Sequence, residues 1–232
     1  MFKDDVKNGL GIELSTDQLK KFDIYYNFLI EYNEITNLTR ITDEEEVYYK
    51  HFYDSLTIVK SLDINKVMTL CDMGAGAGFP SIPLKIMFPH LHVTIIDSLG
   101  KRITFLKLLI EKLNLENVFL VYDRIENYAR INHDSFDLVT ARALGKLPLI
   151  LELGLPMNKV NSYFVAYKSK SYEEELNEAS NALRLLGGKL IKVISFEIPN
   201  AYGDRVHILI QKHKKSPLIY PRSFSAIKKK SL

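Results

Sequence analysis

A glycine-rich run at residues 72–78, DMGAGAG, is the segment whose residue types most clearly suggest chemistry. Glycines at a turn let the backbone bend sharply and approach a ligand closely, because no Cβ stands in the way. Asp97 follows about twenty residues after Gly78, where a carboxylate at a strand end can accept hydrogen bonds from both hydroxyls of a ribose. A glycine turn followed by an acidic strand end predicts a site for a nucleoside-containing cofactor.

The spacing of the glycines favours one cofactor of this kind. A dinucleotide-binding turn would have glycine where Phe79 stands, for close contact between helix and strand. The chain instead has Gly74, Gly76 and Gly78 at alternate positions, with Asp72 two residues before the first. This pattern suits S-adenosylmethionine, which has no pyrophosphate and carries an ammonium group that Asp72 could contact, directly or through water. A nicotinamide-dependent oxidoreductase and a tight turn without a ligand are the alternatives.

A short loop at residues 123–126, DRIE, follows the third predicted strand. We expect it to lie beside the adenine of the cofactor. There a backbone amide of the loop and the carboxylate of Glu126 could bind the edge of the base. The alternative is that Glu126 is a solvated carboxylate at the start of a helix, where a negative charge is favourable.

Two cations follow the fourth and fifth predicted strands at the same edge of the sheet. Arg142 offers five donors in a rigid fork, which suits the carboxylate of methionine or a nucleotide phosphate. Lys168 would face the opening through which a substrate enters. An ion pair with a neighbouring helix is the alternative for Arg142, and an ordinary surface position is the alternative for Lys168.

Strands and helices alternate from residue 66 onward. Strands are predicted at residues 67–71, 92–96, 118–122, 136–140, 163–167, 189–196 and 206–211. Helices are predicted at residues 80–88, 101–113 and 171–186, the last of which ends at two glycines. Such alternation implies a parallel sheet, and the short link between the last two strands implies one antiparallel strand. The predicted fold class is therefore α/β, a Rossmann-like methyltransferase fold with a mostly parallel seven-stranded sheet.

Residues 1–62 are predicted to be helical. Ser15 and Gln18 have the spacing of a capping box, and Thr42 and Glu45 repeat it. After the first cap, an apolar helical repeat runs through Leu19, Phe22, Tyr26 and Leu29. After the second cap the apolar face is looser, and a polar connection at residues 37–40 separates the two helices.

The composition is that of an ordinary globular protein, because the 232 residues are 47% hydrophobic and 25% charged. No apolar run approaches the roughly 20 residues that a membrane-spanning helix needs, and the first residues lack the apolar core of a signal peptide. The single cysteine, Cys71, excludes an intrachain disulfide and fits a reducing compartment. We therefore expect a cytoplasmic protein, and a monomer, since no long apolar stripe is left unassigned. The histidines lack metal-ligand spacing, so no metal is expected.

The charge is unevenly distributed, although the net charge is only +3. No acidic residue follows Asp204, whereas eight lysines and arginines do. A basic tail on an acidic body suggests a polyanionic partner. Tyr220 and Phe224, interleaved with these cations, could stack on unpaired bases. The alternatives are a solubilising, partly disordered tail, or aromatic side chains that pack the tail against the body.

Several longer segments resemble one family of enzymes. They are NLTRITDEEEVYYKHFYDSL (37–56), DMGAGAGFPSIPLKI (72–86), DSLGKRITFL (97–106), DRIENY (123–128), ARAL (141–144), YKS (167–169) and the ending YPR…KKK. Together they are similar to the glucose-inhibited division protein B family, the RsmG type of bacterial small-subunit (16S) ribosomal RNA guanine-N7 methyltransferases. The resemblance spans nearly the whole chain.

The resemblance implies specific roles for residues of this chain. It implies that S-adenosylmethionine is contacted at Gly74, Phe79, Ile125, Glu126 and Arg142. It raises Arg142 and Lys168 as active-site candidates.

The resemblance also implies that RNA binds to the N-terminal helices and the basic tail, with Tyr220 and Arg222 as tail candidates. The chain departs from the family where Ser81 and Ser169 replace glycine, and where residues 223–226 replace an arginine-glycine-proline-lysine run. The predicted organisation is a helical extension (1–62), a cofactor-binding core (63–213) and a basic tail (214–232).

The implied reaction is methyl transfer to N7 of a guanine. That nitrogen carries an unprotonated lone pair at neutral pH, so no general base is required, and catalysis would come mainly from alignment. The rival functions are methylation of a small molecule or protein, nicotinamide-dependent oxidoreduction, and non-catalytic RNA binding by an assembly factor that kept its cofactor pocket.

Overall fold

A single seven-stranded sheet forms the centre of the computed structural model, which describes residues 1–169 and 172–232. The strands are β1 (Thr69–Met73), β2 (His92–Asp97), β3 (Val118–Tyr122), β4 (Phe136–Arg142), β5 (Asn158–Lys168), β6 (Gly188–Glu197) and β7 (Asp204–Lys212). Their order across the sheet is β3-β2-β1-β4-β5-β7-β6. β7 is antiparallel to both of its neighbours, and the other pairs are parallel. The predicted fold class, with seven strands and one antiparallel strand, is confirmed.

The helices between the strands cover both faces of the sheet. They are α5 (Ser81–Met87), α6 (Gly100–Lys112), α7 (Ile125–Ile131), α8 (Leu147–Gly154), α9 (Tyr172–Glu178) and α10 (Ser180–Leu186). Two separate buried clusters result, one on each side of the sheet. Central strands such as β1 are buried along almost their whole length, because helices exclude water from both of their faces.

The helix predicted at residues 171–186 is divided into α9 and α10 at Ala179, and Ser171 lies outside the described residues. Its predicted end is confirmed. Gly187 has φ +78°, and a Cβ there would lie 2.4 Å from the Lys214 carbonyl oxygen. Only glycine fits this close approach between the helix end and the chain that follows β7.

The chain begins with two helices, α1 (Phe2–Leu10) and α2 (Thr16–Thr36). The predicted capping box at the start of α2 is confirmed, since the Gln18 amide donates to Ser15 Oγ and the Ser15 amide donates to Gln18 Oε1. The buried face of α2 differs from the predicted repeat. It consists of Phe22, Tyr25, Phe28 and Leu29, with Tyr26 only partly buried, because α2 packs on the sheet helices and the residue 44–60 segment at once.

The second predicted cap is wrong by one residue. Asp43 caps α3 (Glu44–Val47), with its Oδ1 accepting the Glu46 amide at 3.0 Å. The chain then continues as a π-helix over Tyr48–Tyr53, α4 (Asp54–Leu56) and a 3₁₀ turn over Thr57–Lys60. Its wider π turn accounts for the loose apolar spacing, because side chains on several sides of this segment are buried at once.

The N-terminal helices and the sheet share one hydrophobic cluster. Gln18 Nε2 donates to the carbonyls of Ile86 and Met87 at the end of α5, and Lys101 Nζ donates to the Thr36 carbonyl at 2.7 Å. Gln18 of α2 therefore caps the end of α5, and Lys101 of α6 in turn caps the end of α2. No helix in the described ranges is long and apolar enough to cross a membrane.

The basic C-terminal segment is docked on the body. Its last helix, α11 (Phe224–Lys229), is capped by Ser223 and buries Ile227 completely. Of the alternatives that the sequence left open, the structure therefore supports the one in which the aromatic residues pack the segment against the body. Tyr220 is partly buried against the cluster under α8 and α10.

That Arg222 binds RNA stays a prediction, and its present contacts lie within the protein. Its guanidinium makes two hydrogen bonds to Glu152, at 2.7 Å to Oε1 and 2.6 Å to Oε2, and Glu152 is fully buried. Withdrawing the guanidinium toward a phosphate would leave a buried carboxylate without its counter-charge, which is costly. Tyr220 likewise packs against the body, so the stacking of its ring on a base also stays a prediction.

Candidate functional site

The glycine turn lies between β1 and α5, at the edge of the sheet where the parallel strands end. Gly74, Gly76 and Gly78 all have positive φ, at +68°, +62° and +102°. The Gly74 amide donates to the Ile96 carbonyl at 2.8 Å, which joins the turn to the end of β2. A Cβ on Gly74 would lie 2.7 Å from Cδ1 of Leu144. The turn therefore requires glycine here for both its backbone conformation and its packing.

Asp72 supports this turn from below. Its side chain is fully buried, and it accepts hydrogen bonds from the Ser81 amide at 3.1 Å and from Thr140 Oγ1 at 3.4 Å. Burial raises the pKa of Asp72 to about 7, although the hydrogen bonds and the charge of Arg142 oppose the shift. In this position Asp72 connects β1, β4 and α5. Its contact with the ammonium of a cofactor stays a prediction.

Asp97 ends β2 with only 2% of its surface exposed. One carboxylate oxygen accepts the Leu99 amide at 2.9 Å, and the other accepts Arg102 Nη1 at 3.1 Å. Asp97 lines a cavity of about 210 Å³ together with Gly74, Ile125 and Glu126. These residues come from three separate segments of the sequence, and the fold brings them to one cavity. Their contact with an adenosine stays a prediction.

Glu126 lies in the first turn of α7 and is buried. Its Oε1 accepts Arg124 Nε at 2.5 Å. The alternative of a solvated carboxylate is therefore wrong, because the group has lost most of its contact with water. A buried acceptor beside the Ile125 amide suits the donor and acceptor edge of adenine.

A second cavity of about 250 Å³ continues the first along the glycine turn, and Phe79 is one of its walls. The Phe79 ring stacks between Tyr25, at 5.4 Å between ring centroids, and His51, at 4.4 Å. The Arg142 guanidinium lies 5.7 Å from the centroid of the Phe79 ring. Phe79, which distinguishes this turn from a dinucleotide-binding turn, therefore connects the helical N-terminal segment (residues 1–62) to the cavity.

Arg142 ends β4 and is held by the residue 44–60 segment. Its Nη2 donates to the Lys50 carbonyl at 2.6 Å and lies 3.1 Å from His51 Nδ1 and 3.2 Å from Asp54 Oδ2. The predicted alternative, an ion pair with a neighbouring helix, is therefore present. Its side chain nevertheless lines the second cavity and a third, so the ion pair and a ligand contact are compatible.

His51 is a neutral ring that accepts a hydrogen bond from Arg142. Burial first, and then the positive charge of Arg142, lower the pKa of His51 to about 3. A neutral His51 can accept from Arg142 at Nδ1 and donate from Nε2 to Thr39 Oγ1, which lies 3.0 Å away. These hydrogen bonds give His51 a structural role.

Lys168 ends β5 with only 10% of its side chain exposed. Its Nζ donates to the Gly145 carbonyl at 2.6 Å and to Glu175 Oε2 at 2.5 Å. An ordinary surface lysine is therefore excluded. Lys168, Glu175, Arg142 and Asp54 line the third cavity, of about 310 Å³.

The three cavities meet at one side chain. Leu144 lines all of them, since it projects from the loop after β4 toward Gly74. We did not identify Leu144, Asp54 or Glu175 from the sequence. The only signal for Leu144 was its place in the ARAL segment, two residues after Arg142. Within the described ranges, no cluster of three or more His, Cys, Asp or Glu could hold a metal ion.

The residues present fit S-adenosylmethionine. The first cavity has a carboxylate pair for ribose and adenine, and the turn beside the second has backbone without a Cβ in the path of a ligand. A Cβ on Gly76 would have no atom of the described chain within 4 Å, so the open side of the turn faces the cavity space. The third cavity then offers a separate volume for a substrate, next to Arg142 and Lys168.

Comparison with known proteins gives a consistent result. A family model described as rRNA small subunit methyltransferase G matches residues 18–203. Ribosomal RNA small subunit methyltransferase G of Bacillus subtilis is 52% identical over 214 residues, which cover 91% of this chain and 90% of that protein. The protein of the same name from Acholeplasma laidlawii is 52% identical over 227 residues, 98% of each chain.

Solved structures support the fold. A SAM dependent methyltransferase from Aquifex aeolicus aligns with a TM-score of 0.57 and 20% identity, over 76% of this chain and 97% of that one. TYW2 of M. jannaschii, solved in complex with AdoMet, aligns with a TM-score of 0.51 and 20% identity, over 62% of this chain and 68% of that one. At these identities the likeness concerns the fold alone.

Proposed function

This chain belongs to the rRNA small subunit methyltransferase G family, and we propose that it transfers a methyl group from S-adenosylmethionine to N7 of a guanine in small-subunit (16S) ribosomal RNA. The observation that carries the proposal is the meeting of three cavities at Leu144. Two of them contain the residues expected for the cofactor. The third is lined by three cations, Arg142, Lys168 and Arg205, and opens beside them, where a base could enter.

In this proposal the cofactor spans the first two cavities. Asp97 accepts the ribose hydroxyls, while the Ile125 amide and Glu126 read the adenine. The amino-acid end lies along Gly74, Gly76 and Gly78, with Phe79 as an apolar wall. Arg142, whose guanidinium lines both the second and the third cavity, is placed to hold the cofactor's carboxylate or to face the incoming nucleotide.

The bound cofactor supplies an electrophilic methyl group on a sulfonium. The chain's own residues have a simpler task, because guanine N7 is an unprotonated nucleophile at neutral pH and no proton has to be removed before attack. They must exclude alternative poses and align the lone pair with the methyl group. Alignment of this kind can lower a barrier by about 7–11 kcal/mol in favourable systems.

Arg142 and Lys168 position the nucleotide in this mechanism. Each is already paired with a carboxylate, Arg142 with Asp54 and Lys168 with Glu175. Their charge is therefore partly balanced, and they can donate hydrogen bonds to a phosphate or to guanine O6 without withdrawing much electron density from N7. Asp54 and Glu175 hold them in place.

The proposal extends to the setting of the reaction. The substrate is ribosomal RNA, free or within the small subunit, and the protein acts as a cytoplasmic monomer. Within the chain, residues 63–213 form the methyltransferase core. Residues 1–62 form a helical extension and residues 214–232 a basic tail, and both flank the site from outside the sheet.

The test is methyl transfer from labelled S-adenosylmethionine to small subunits taken from cells that lack this protein. We expect label in the RNA as 7-methylguanine, and its loss with Arg142→Ala. Lys168→Ala should lower the rate about a hundredfold, the cost expected for a misaligned substrate. Label in another product, or none despite binding of S-adenosylhomocysteine, would exclude the proposed reaction.

Lys146→Ala is the matched control for Lys168→Ala. Lys146 also pairs with a glutamate of α9, Glu178, at 3.0 Å, but 66% of its side chain is exposed and it lies outside the three cavities. It should keep the full rate. Equal effects of the two substitutions would point to a general electrostatic role and against a positioning role for Lys168.

A further inference from the structure

The C-terminal segment reaches the adenosine cavity. Phe224, the first residue of α11, lines the 210 Å³ cavity together with Asp97, Ile125 and Glu126. Phe224 comes about a hundred residues after Ile125 in the sequence, so only the docking of the segment brings its ring there. None of the sheet edge or glycine turn residues supplies an aromatic ring to this cavity.

This position is fixed by polar contacts from outside the cavity. The Arg222 guanidinium and its backbone amide both bind Glu152, which is buried in α8. His133 Nε2 lies 2.8 Å from the Tyr220 carbonyl, and Arg130 Nε donates to the Pro221 carbonyl at 3.0 Å. These contacts explain why a basic segment lies against the body instead of extending into solvent.

The Phe224 ring is also linked to the residues that read the base. The Arg124 guanidinium lies 4.9 Å from the ring centroid, and the same side chain donates to Glu126 at 2.5 Å. Lys228, one turn along α11, also contacts this ring, since its Nζ lies 5.2 Å from the Phe224 ring centroid. Phe224, Arg124 and Glu126 therefore form one connected group at the mouth of the cavity.

We propose that α11 is a wall of the cofactor pocket and that Phe224 packs against the adenosine of the bound cofactor. A flat aromatic side chain beside a buried acceptor provides apolar contact to a purine face while Glu126 and the Ile125 amide bind its edge. The inference rests on the proposed function, because it names a further residue of the same cofactor site. It assigns to the C-terminal segment a role in cofactor binding in addition to any contact with RNA.

The test is binding of S-adenosylhomocysteine by calorimetry, which needs no turnover. Phe224→Ala should raise the Kd by about three- to tenfold, the value expected for loss of an aromatic contact. Phe224→Leu should have a smaller effect, because it keeps an apolar wall. The control is Phe119→Ala on β3, where the ring is 56% exposed and outside the cavity.

A second ligand locates the contact. 5′-Methylthioadenosine has the adenosine without the amino acid, and Phe224→Ala should weaken it by the same factor as S-adenosylhomocysteine. Unchanged affinity for both ligands would overturn the inference and leave the proposed function intact. A wild-type chain that binds neither ligand would overturn the proposed function, and the inference with it.

Discussion

At the scale of single residues, two buried carboxylates in and near the site are paired with arginines. Asp54 is 1% exposed and receives two arginines, Arg142 at 3.2 Å and Arg205 at 3.1 Å. Glu152 is fully buried and receives Arg222. A buried charge that lost its partner would cost several kcal/mol, so these pairs fix the geometry of their neighbours more than they add net stability.

Two buried histidines, His51 and His207, are a second kind of buried ionisable group. His207 on β7 is fully buried, with Nδ1 2.7 Å from Ser61 Oγ and Nε2 3.2 Å from Thr57 Oγ1. Burial first, and then the charges of Arg142 and Lys60, lower the pKa of His207 to about 3. Below about pH 6.5, His207 therefore stays neutral in the folded chain, whereas it becomes protonated in the unfolded chain.

This shift predicts a pH dependence of stability. The contribution of His207 is complete above about pH 6.5 and is lost as the pH falls toward 3, by about 1.4 kcal/mol per pH unit. His207→Gln cannot titrate, so the free energy of unfolding should fall less steeply with acid by about that amount. Urea titrations between about pH 4 and 6 measure the slope.

His92→Gln provides the comparison for His207→Gln, because it makes the same change at an exposed position at the start of β2. An unaltered slope in His207→Gln would mean that the ring is not excluded from protonation in the fold.

At the scale of elements, the turn between β1 and α5 combines two demands on Gly74. Its φ is +68°, and its missing Cβ leaves room for Leu144. Gly11, at the end of α1, has almost the same φ, +69°, but no atom of the described chain lies within 4 Å of the Cβ position there. Comparing substitutions at the two glycines therefore distinguishes the cost of the left-handed backbone from the cost of steric crowding.

Gly11→Ala should destabilise the fold by about 1–2 kcal/mol, the cost of a left-handed conformation with a Cβ. Gly74→Ala should destabilise it more, because its methyl group would also lie 2.7 Å from Leu144 Cδ1. Only Gly74→Ala should also weaken S-adenosylhomocysteine, because its methyl group displaces Leu144 at the junction of the three cavities. Thermal unfolding and calorimetry measure the two effects. Full ligand affinity in Gly74→Ala would show that Leu144 can move without consequence.

At the scale of the whole molecule, the helical N-terminal segment (residues 1–62) supports the glycine turn at residues 74–78. Tyr25 on α2 is fully buried and donates its hydroxyl to the Ala77 carbonyl at 2.5 Å. Its ring stacks on Phe79. The helices before the sheet are thus part of the site's framework, in addition to any role in binding RNA.

Tyr25→Phe should lower the free energy of unfolding by about 1–3 kcal/mol, because it leaves a buried carbonyl without its donor. It should also weaken S-adenosylhomocysteine, since Ala77 belongs to the turn. Tyr26→Phe is the neighbouring control, with an exposed hydroxyl 3.4 Å from the Thr42 carbonyl. If the two substitutions had equally small effects, the helical N-terminal segment would not contribute to ligand binding through Tyr25.

The sequence by itself determined the sheet and the edge at which the site lies. Apolar runs that end in Asp72, Asp97 and Arg142 predicted parallel strands, and the carboxyl ends of such strands meet at one edge whatever the details of packing. The glycine spacing and Phe79 indicated the cofactor for a similarly local reason, since they concern a single turn. The predicted capping box at Ser15 also depended only on residues three positions apart.

Only the tertiary structure decided which partners these residues have. Arg142 binds the Asp54 carboxylate and the Lys50 backbone carbonyl. Arg222 binds Glu152, and Phe224 lines the same cavity as Glu126. Each of these contacts joins residues about 70 to 100 positions apart in the sequence. No local pattern encodes such contacts, because they depend on how whole elements pack and on which buried charge needs a counter-charge. For this reason the basic C-terminal segment, which its composition associates with RNA, is placed by the fold against the cofactor cavity.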